Sequence, residues 1–344
     1  MKEYVLREPG KIEPAERELP RLQEGEVLVK VNYVGICGSD IHLFHGTYQG
    51  PHSYPMLFGH EWSGTVAAVG SHVTTVEIGD PVTGDCSKYC GTCKNCGTDK
   101  NLCSHIDKFG ITIDGASAEY IIRDQKYLYK GKPGIPEKLL CLSEPVAVAA
   151  HLIEKVRHVC QDELTDKNIL VLGGGVIGMS AMMLLKNLFG CGNVSLYDLS
   201  DHRTEIAKSA GAVIPEGGSL NVKAEEGNYS ALYEAARYDI VLETTGVPAV
   251  FSNAFHLLRP AGILGCVGMA ANVNIPQKQI VTKSLTVTGS IGGTGDFPAA
   301  MEFLAGYPRE AEKLISHYCK MEEAEQAFAV AGNPDISMKV VLVL

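Results

Sequence analysis

No run in the 344-residue sequence is apolar over the roughly 18 residues that a membrane helix needs. The nearest approach, 169–188, is broken by glycines and polar side chains. MKEYVLREPGKIEP at the N-terminus has no apolar segment of the kind a secretory leader carries. Positive charge is in deficit: 30 Lys and Arg face 40 Asp and Glu, a formal net charge of −10. That balance argues against nucleic acid and against anionic membrane surfaces as partners. No repeat of solenoid or propeller period and no low-complexity tract is found. Aromatic residues are few, and the single tryptophan, Trp62, is expected to pack rather than to touch a substrate. What is left is an ordinary globular composition, expected to be cytoplasmic, in a chain too long for one core. Two domains are the default.

Cysteine is the residue present in unusual number, at eleven. A reducing compartment and an odd count both disfavour a disulfide framework. Cys141, Cys160, Cys191, Cys266 and Cys319 are scattered and read as buried thiols. The stretch CGTCKNCGTDKNLC places four cysteines, Cys90, Cys93, Cys96 and Cys103, in fourteen residues of a loop with no apolar face to bury them. Four thiolates converging on a tetrahedral zinc explain that spacing, and a closed site of four sulfurs is structural. A closed site does no chemistry, so the function must lie elsewhere.

The first 145 residues alternate apolar and polar side chains, as in EVLVKVNYVGI and GTVAAVG, between turns of Gly, Pro and Asp, and read as β-rich. After Glu144–Pro145 the period changes. Pro145 suits a first helical position, and VAVAAHLIEKV is apolar on one helical face. NILVL, VSLYD, DIVLET, GILGCVG and LTVTGS then alternate with helical segments, the pattern of a doubly wound parallel sheet. The expected organisation is 1–145 with 290–344 as one domain, carrying a cysteine lobe at 86–104, and 146–289 as the other. The closing MKVVLVL is a strand that can return to the first domain.

Between NILVL and its helix lies Gly173-Gly174-Gly175-Val176-Ile177-Gly178, a G-x-G-x-x-G turn. Gly173 permits the tight turn, Gly175 admits a pyrophosphate to the helix N-terminus, and Gly178 allows close helix–strand packing. Asp198 follows twenty residues after Gly178 at the end of the next strand. There it would accept hydrogen bonds from an adenosine ribose and repel a 2′-phosphate, which favours NAD over NADP. Capping of the next helix is a second role open to Asp198. A hydride carrier needs a partner site, and Cys37, His60 and Glu61 offer one thiolate, one imidazole and one carboxylate, a set suited to catalytic zinc. Adjacent residues of a strand point to opposite faces, so His60 and Glu61 can share an ion only if the backbone turns there. On spacing alone, a core cysteine and a surface His-Glu pair explain these residues equally well.

Taken in order, CGSDIH, GHEWSGTVAAVG, the four-cysteine loop, DGASAEY and the late G-x-G-x-x-G resemble the zinc-containing medium-chain dehydrogenases over nearly the whole chain. The resemblance implies an α/β architecture in which a GroES-like β-rich catalytic domain is interrupted by a Rossmann domain. It is nearest to the polyol branch, which has a glutamate before proline where Glu144 stands. By resemblance, the catalytic zinc draws on Cys37, His60, Glu61 and Glu144, and Ser39 and His42 form the proton relay. Ile177, Arg203, Val267, Gly268 and Met269 join Gly173, Gly175, Gly178 and Asp198 as the NAD-binding set. Two zinc ions per chain are implied, the second held by Cys90, Cys93, Cys96 and Cys103. Cys37 and Glu61 already neutralise Zn²⁺, so Glu144 would leave the site at −1, and one glutamate is expected to yield to water or substrate.

The implied reaction is oxidation of a secondary alcohol of a polyol, amino-polyol, cyclitol or sugar alcohol, with or without phosphate, by a homo-oligomer using NAD⁺. A threonine-dehydrogenase-like enzyme and a non-catalytic NAD- and zinc-binding sensor are the alternatives. Three departures stand out. Six residues separate Cys96 from Cys103 where the family usually has seven, which leaves Cys86 within reach as a substitute. Leu43 replaces the aromatic that follows the relay histidine in sorbitol dehydrogenases, and Gly292-Gly293 replaces their Arg-Tyr pair. The segment FHGTYQGPHSYPMLFGHEWSGTV resembles the aminocyclitol enzymes more than the sorbitol ones.

Overall fold

A computed structural model describes residues 1–19, 21–161, 164–216, 233 and 236–344. The chain divides into two compact units, Met1–Ala147 with Gly292–Leu344, and Val148–Ile291.

In the first unit the alternating segments form strands with one face in the core. Glu26–Gly35 lies inside a seven-stranded sheet, paired antiparallel with Glu61–Val69, Tyr120–Asp124 and Lys339–Val343. Val27, Val29, Val31 and Val34 from that strand pack with Trp62, Val66, Val82 and Phe328. Trp62 is fully buried, and a Cβ on Gly84 would lie 2.5 Å from its ring, so that residue must be small. MKVVLVL becomes Lys339–Val343, which joins the sheet between Glu26–Gly35 and the parallel strand Ile315–Lys320. The cysteine loop folds on a two-stranded ribbon, Ser87–Lys88 with Asp107–Lys108, closed by Tyr89, Cys103, Phe109 and Tyr127.

The second unit holds five parallel strands in the order Val194–Tyr197, Ile169–Leu172, Tyr238–Glu243, Leu258–Cys266, Thr286–Gly289. Ile169–Leu172 is buried on both faces, as a central parallel strand must be. The helix expected to begin at Pro145 starts two residues earlier, at Ser143, and runs to Cys160. Pro145 still lies in the first turn, where its missing N–H breaks no bond. Among the described residues no helix is long and apolar enough to cross a membrane.

Candidate active site

Cys37 caps the short helix Gly38–Phe44, and His60 and Glu61 sit where a turn enters the strand Glu61–Val69. Gly59 makes the turn at φ +82°, a conformation that favours glycine, and a Cβ there would also strike Val34 at 2.4 Å. The backbone therefore bends where the sequence required it. One ligand atom from each of Cys37, His60 and Glu61 lies within 4.8 Å of the others.

Groups outside the proposed ligand set hold these three in place. Asp40 is fully buried, accepts from the Cys37 amide at 2.9 Å and the Gly59 amide at 3.3 Å, and faces His60 Nδ1 at 3.7 Å. Burial raises the Asp40 carboxyl, and the adjacent His60 partly opposes that. Burial alone would depress His60, but Asp40 and then Cys37 outweigh it and hold the imidazole well above its usual range. The negative field that favours a proton here favours a metal cation equally.

Glu61 Oε2 pairs with Lys339 Nζ at 2.5 Å, with both side chains buried, and Lys339 also donates to the Ile36 carbonyl at 2.9 Å. The pair crosses over Gly35. A Cβ there would lie 2.6 Å from Glu61 Oε2 and 3.4 Å from the Lys339 stem. Burial acts to lower the Lys339 ammonium, but Glu61 and Cys37 raise it above the ordinary value.

Glu144, in the first turn of Ser143–Cys160, is buried near His60 and Glu61, and its carboxyl is raised chiefly by that burial. The Cys86 thiol lies beside it. Cys86 is thus placed beside the Cys37 cluster and not in the lobe. Ser39 and His42 share one face of Gly38–Phe44, spaced i and i+3. Ser39 Oγ is buried with no partner, while the exposed His42 shares a hydrogen bond with Thr47 through Nδ1 at 2.9 Å. Leu43 points into the core.

In the lobe, Cys90, Cys93, Cys96 and Cys103 converge. Their sulfurs are separated by 3.5 to 3.9 Å, against about 3.8 Å for the edges of a tetrahedron with 2.3 Å zinc–sulfur bonds. Two single turns, Asn95–Gly97 and Lys100–Leu102, take up the chain, so six residues suffice to bring Cys103 round. Amides of Ser104 and Cys96 pull Cys93 down to about 5, whereas burial and then the neighbouring thiols push Cys96 up to about 12. Sulfurs so crowded cannot all ionise without a cation, and the donor set fits zinc.

In the second unit Gly173 turns at φ +102°, and a Cβ on Gly178 would meet the Gly173 carbonyl at 1.9 Å. Gly175 caps the helix Val176–Asn187, which contains Ile177. Asp198 accepts from Gly174 N at 2.6 Å and Ser200 N at 2.8 Å. The next helix is capped by Ser200, so Asp198 serves the glycine turn and leaves the cap to its neighbour. Arg203 lies with Asp198 against Gly174. Amides of Val267 and Gly268 donate to the Glu243 carbonyl, and Met269 is exposed. The buried Glu243 accepts from Thr245 N at 2.8 Å and Gly246 N at 3.1 Å, so it shapes the neighbouring loop. Residues at the carboxyl ends of parallel strands are where dinucleotides bind in such sheets, and this set fits one.

Residues 23–136 match the alcohol dehydrogenase GroES-like domain, and residues 176–306 match the zinc-binding dehydrogenase domain. D-xylulose reductase A of Aspergillus oryzae is 32% identical over 337 residues, spanning 94% of this chain and 92% of the relative. The structure of an alcohol dehydrogenase from E. coli CFT073 in complex with NADH is similar at a TM-score of 0.88 and 27% identity, covering 100% of this chain and 99% of that one. Galactitol-1-phosphate dehydrogenase from Escherichia coli is similar at 0.87 and 29%, with full coverage of both chains. The chain belongs to the zinc-binding alcohol dehydrogenase family, with its GroES-like domain and Rossmann-type sheet.

Proposed function

We propose that the protein oxidises a secondary alcohol of a polyol, amino-polyol or sugar alcohol with NAD⁺. The observation that carries this reading is the convergence of Cys37, His60 and Glu61 beside a buried, unpartnered Ser39 hydroxyl. Cys37, His60, Glu61 and Glu144 would hold a catalytic zinc, and Cys90, Cys93, Cys96 and Cys103 a structural one. Gly173, Gly175, Ile177, Gly178, Asp198, Arg203 and Val267–Met269 would hold the dinucleotide. When bound, zinc supplies Lewis acidity toward the substrate hydroxyl, and NAD⁺ supplies the hydride acceptor.

The chain's own groups move the proton. Ser39 Oγ, with no internal partner to give up, accepts the hydroxyl proton while passing its own on toward His42. His42, one turn further along the same face and exposed, releases a proton to solvent. Asp40 and Lys339 hold His60 and Glu61 in place while this happens. Polyol relatives support the substrate class, and Asp198 supports NAD⁺ over NADP⁺. The same reading takes the protein as a cytoplasmic homo-oligomer.

The test is NADH formation with a panel of polyols, amino-polyols and sugar phosphates. Turnover of at least one of them, lost in Cys37→Ser, is expected. Absence of turnover across the panel with zinc-replete protein would overturn the reading.

A further inference from the structure

Thr294 is bonded through three of its atoms. Its amide donates to Asn101 Oδ1 at 3.1 Å and its carbonyl accepts from Asn101 Nδ2 at 3.2 Å. Its hydroxyl donates to Asp85 Oδ1 at 2.9 Å. Asn101, Thr294 and Asp85 are all buried. The Asn101 side chain thus pairs with Thr294 as a neighbouring strand would, through one donor and one acceptor.

Each end of this contact is fixed. Asn101 lies two residues before Cys103, and both its amide and Nδ2 donate to Asp99 Oδ1 at 2.9 Å. On the other side the chain is bent around the asparagine. Gly292 has φ +72°, and a Cβ on it would lie 2.2 Å from Asn101 Oδ1. Asp85 also accepts from Ser87 N at 2.9 Å. Between them in sequence sits the buried Cys86, whose thiol lies beside the Glu144 carboxyl. Lys108 anchors Ser87 from the ribbon's other strand, Nζ to Oγ at 2.6 Å.

We propose that the four-cysteine lobe positions the reaction site: Asn101 fixes the 292–295 loop, and the Thr294–Asp85 bond fixes Cys86 and through it Glu144. The proposal rests on Glu144 belonging to the active site. A buried network in which each polar group is satisfied is rigid, and one missing member leaves several unpaired groups in a low-dielectric interior. Metal binding orders such a lobe, so order passes along the chain from Cys103 to Asn101 and on through hydrogen bonds to Thr294 and Asp85, next to Cys86. The lobe is then a positioning element as well as a strut. Asn101, Thr294 and Asp85 are positioning residues, since none of them touches Cys37, His60 or Glu61.

The test uses the full-length, zinc-replete protein in three variants. Asn101→Ala removes both bonds to the loop backbone. Thr294→Val is nearly isosteric and removes only the bond to Asp85. Asn95→Ala breaks a bond inside the lobe, Asn95 Nδ2 to the Leu102 carbonyl at 2.9 Å, without touching the loop. Zinc content, kcat, KM for NAD⁺ and hydrogen exchange of peptides covering 290–297 are read for each. Asn101→Ala and Thr294→Val should keep wild-type zinc content and KM for NAD⁺ while kcat falls by about tenfold or more. Exchange across 292–296 should rise by about tenfold in Asn101→Ala, and Asn95→Ala should change neither quantity.

Wild-type kcat and exchange in Asn101→Ala would overturn the proposal, as would an equal loss of kcat in Asn95→Ala. Should Asn101→Ala not fold, Thr294→Val decides: a kcat equal to wild type overturns the linkage to Glu144. If the wild type oxidises nothing in the panel, the dehydrogenase reading fails separately. The exchange measurement then judges the linkage alone, and unchanged exchange at 292–296 overturns it.

Discussion

Replacing Lys339 by methionine keeps the length of the side chain and removes its charge. Glu61, 1% exposed, then loses its partner at 2.5 Å, and the Ile36 carbonyl loses a donor. Removing one member of a buried ion pair costs about 3–5 kcal/mol, because the other charge is left without compensation. A unit the size of Met1–Ala147 with Gly292–Leu344 shifts its melting temperature by roughly 2–4 °C per kcal/mol, so a fall of about 6–20 °C is expected. Lys339→Met/Glu61→Gln removes the stranded charge and should recover more than half of the loss. Scanning calorimetry on the four proteins of this cycle, at one pH and with zinc removed by chelation so that Glu61 has no other cation beside it, gives the coupling directly. A fall below about 2 °C in Lys339→Met, or a double variant no better than the single, would show that the pair is not what holds Glu61.

Asp198→Ala should narrow the preference for NAD⁺ over NADP⁺, read as the ratio of kcat/KM values, because it removes the charge that repels a 2′-phosphate and a bond to the glycine turn. Glu144→Gln should lower kcat by about 10²-fold or more with melting temperature and NADH affinity nearly unchanged. Cys103→Ala should release one zinc ion and lower the melting temperature, whereas Cys86→Ser should retain the lobe zinc in metal analysis.

The fold was legible because its elements are locally consistent. Apolar alternation marked Glu26–Gly35, and the glycine turn sat between a buried strand and a helix as phosphate binding demands. The lobe was legible from spacing, although the shortened loop raised a doubt about Cys103 that counting could not settle. Two single turns bring Cys103 beside the other three sulfurs, and their local sign was Asp99, which caps the second of them. Asp40 could have been found as the acidic third residue of a capping box opened by Cys37. Lys339 could not: it reaches Glu61 only because Gly35 leaves a gap between the final strand and Glu61–Val69. Cys86 was ambiguous for the same reason. In sequence it neighbours the lobe, and only the path of the chain after Asp85 sends its thiol to Glu144.

Lys339 also alters the charge argument made from the motif. Cys37, Glu61 and Glu144 carry three negative charges against two on zinc, and from those groups alone a four-ligand site is −1. The buried ammonium of Lys339 offsets that charge, while the buried Asp40 beside His60 adds another. Charge alone therefore does not single out the glutamate that would leave. What separates the two glutamates is how each is held. Glu61 is fixed by an ion pair at 2.5 Å across a residue with no side chain to yield. Glu144 stands at the head of a helix beside a thiol, at most a weak donor. If both carboxylates hold zinc as proposed, Glu144 is the one that would give way to substrate at the smaller cost. Its freedom is then set by how firmly Cys86 is placed, and that traces back through Asp85 and Thr294 to Asn101 and the four sulfurs.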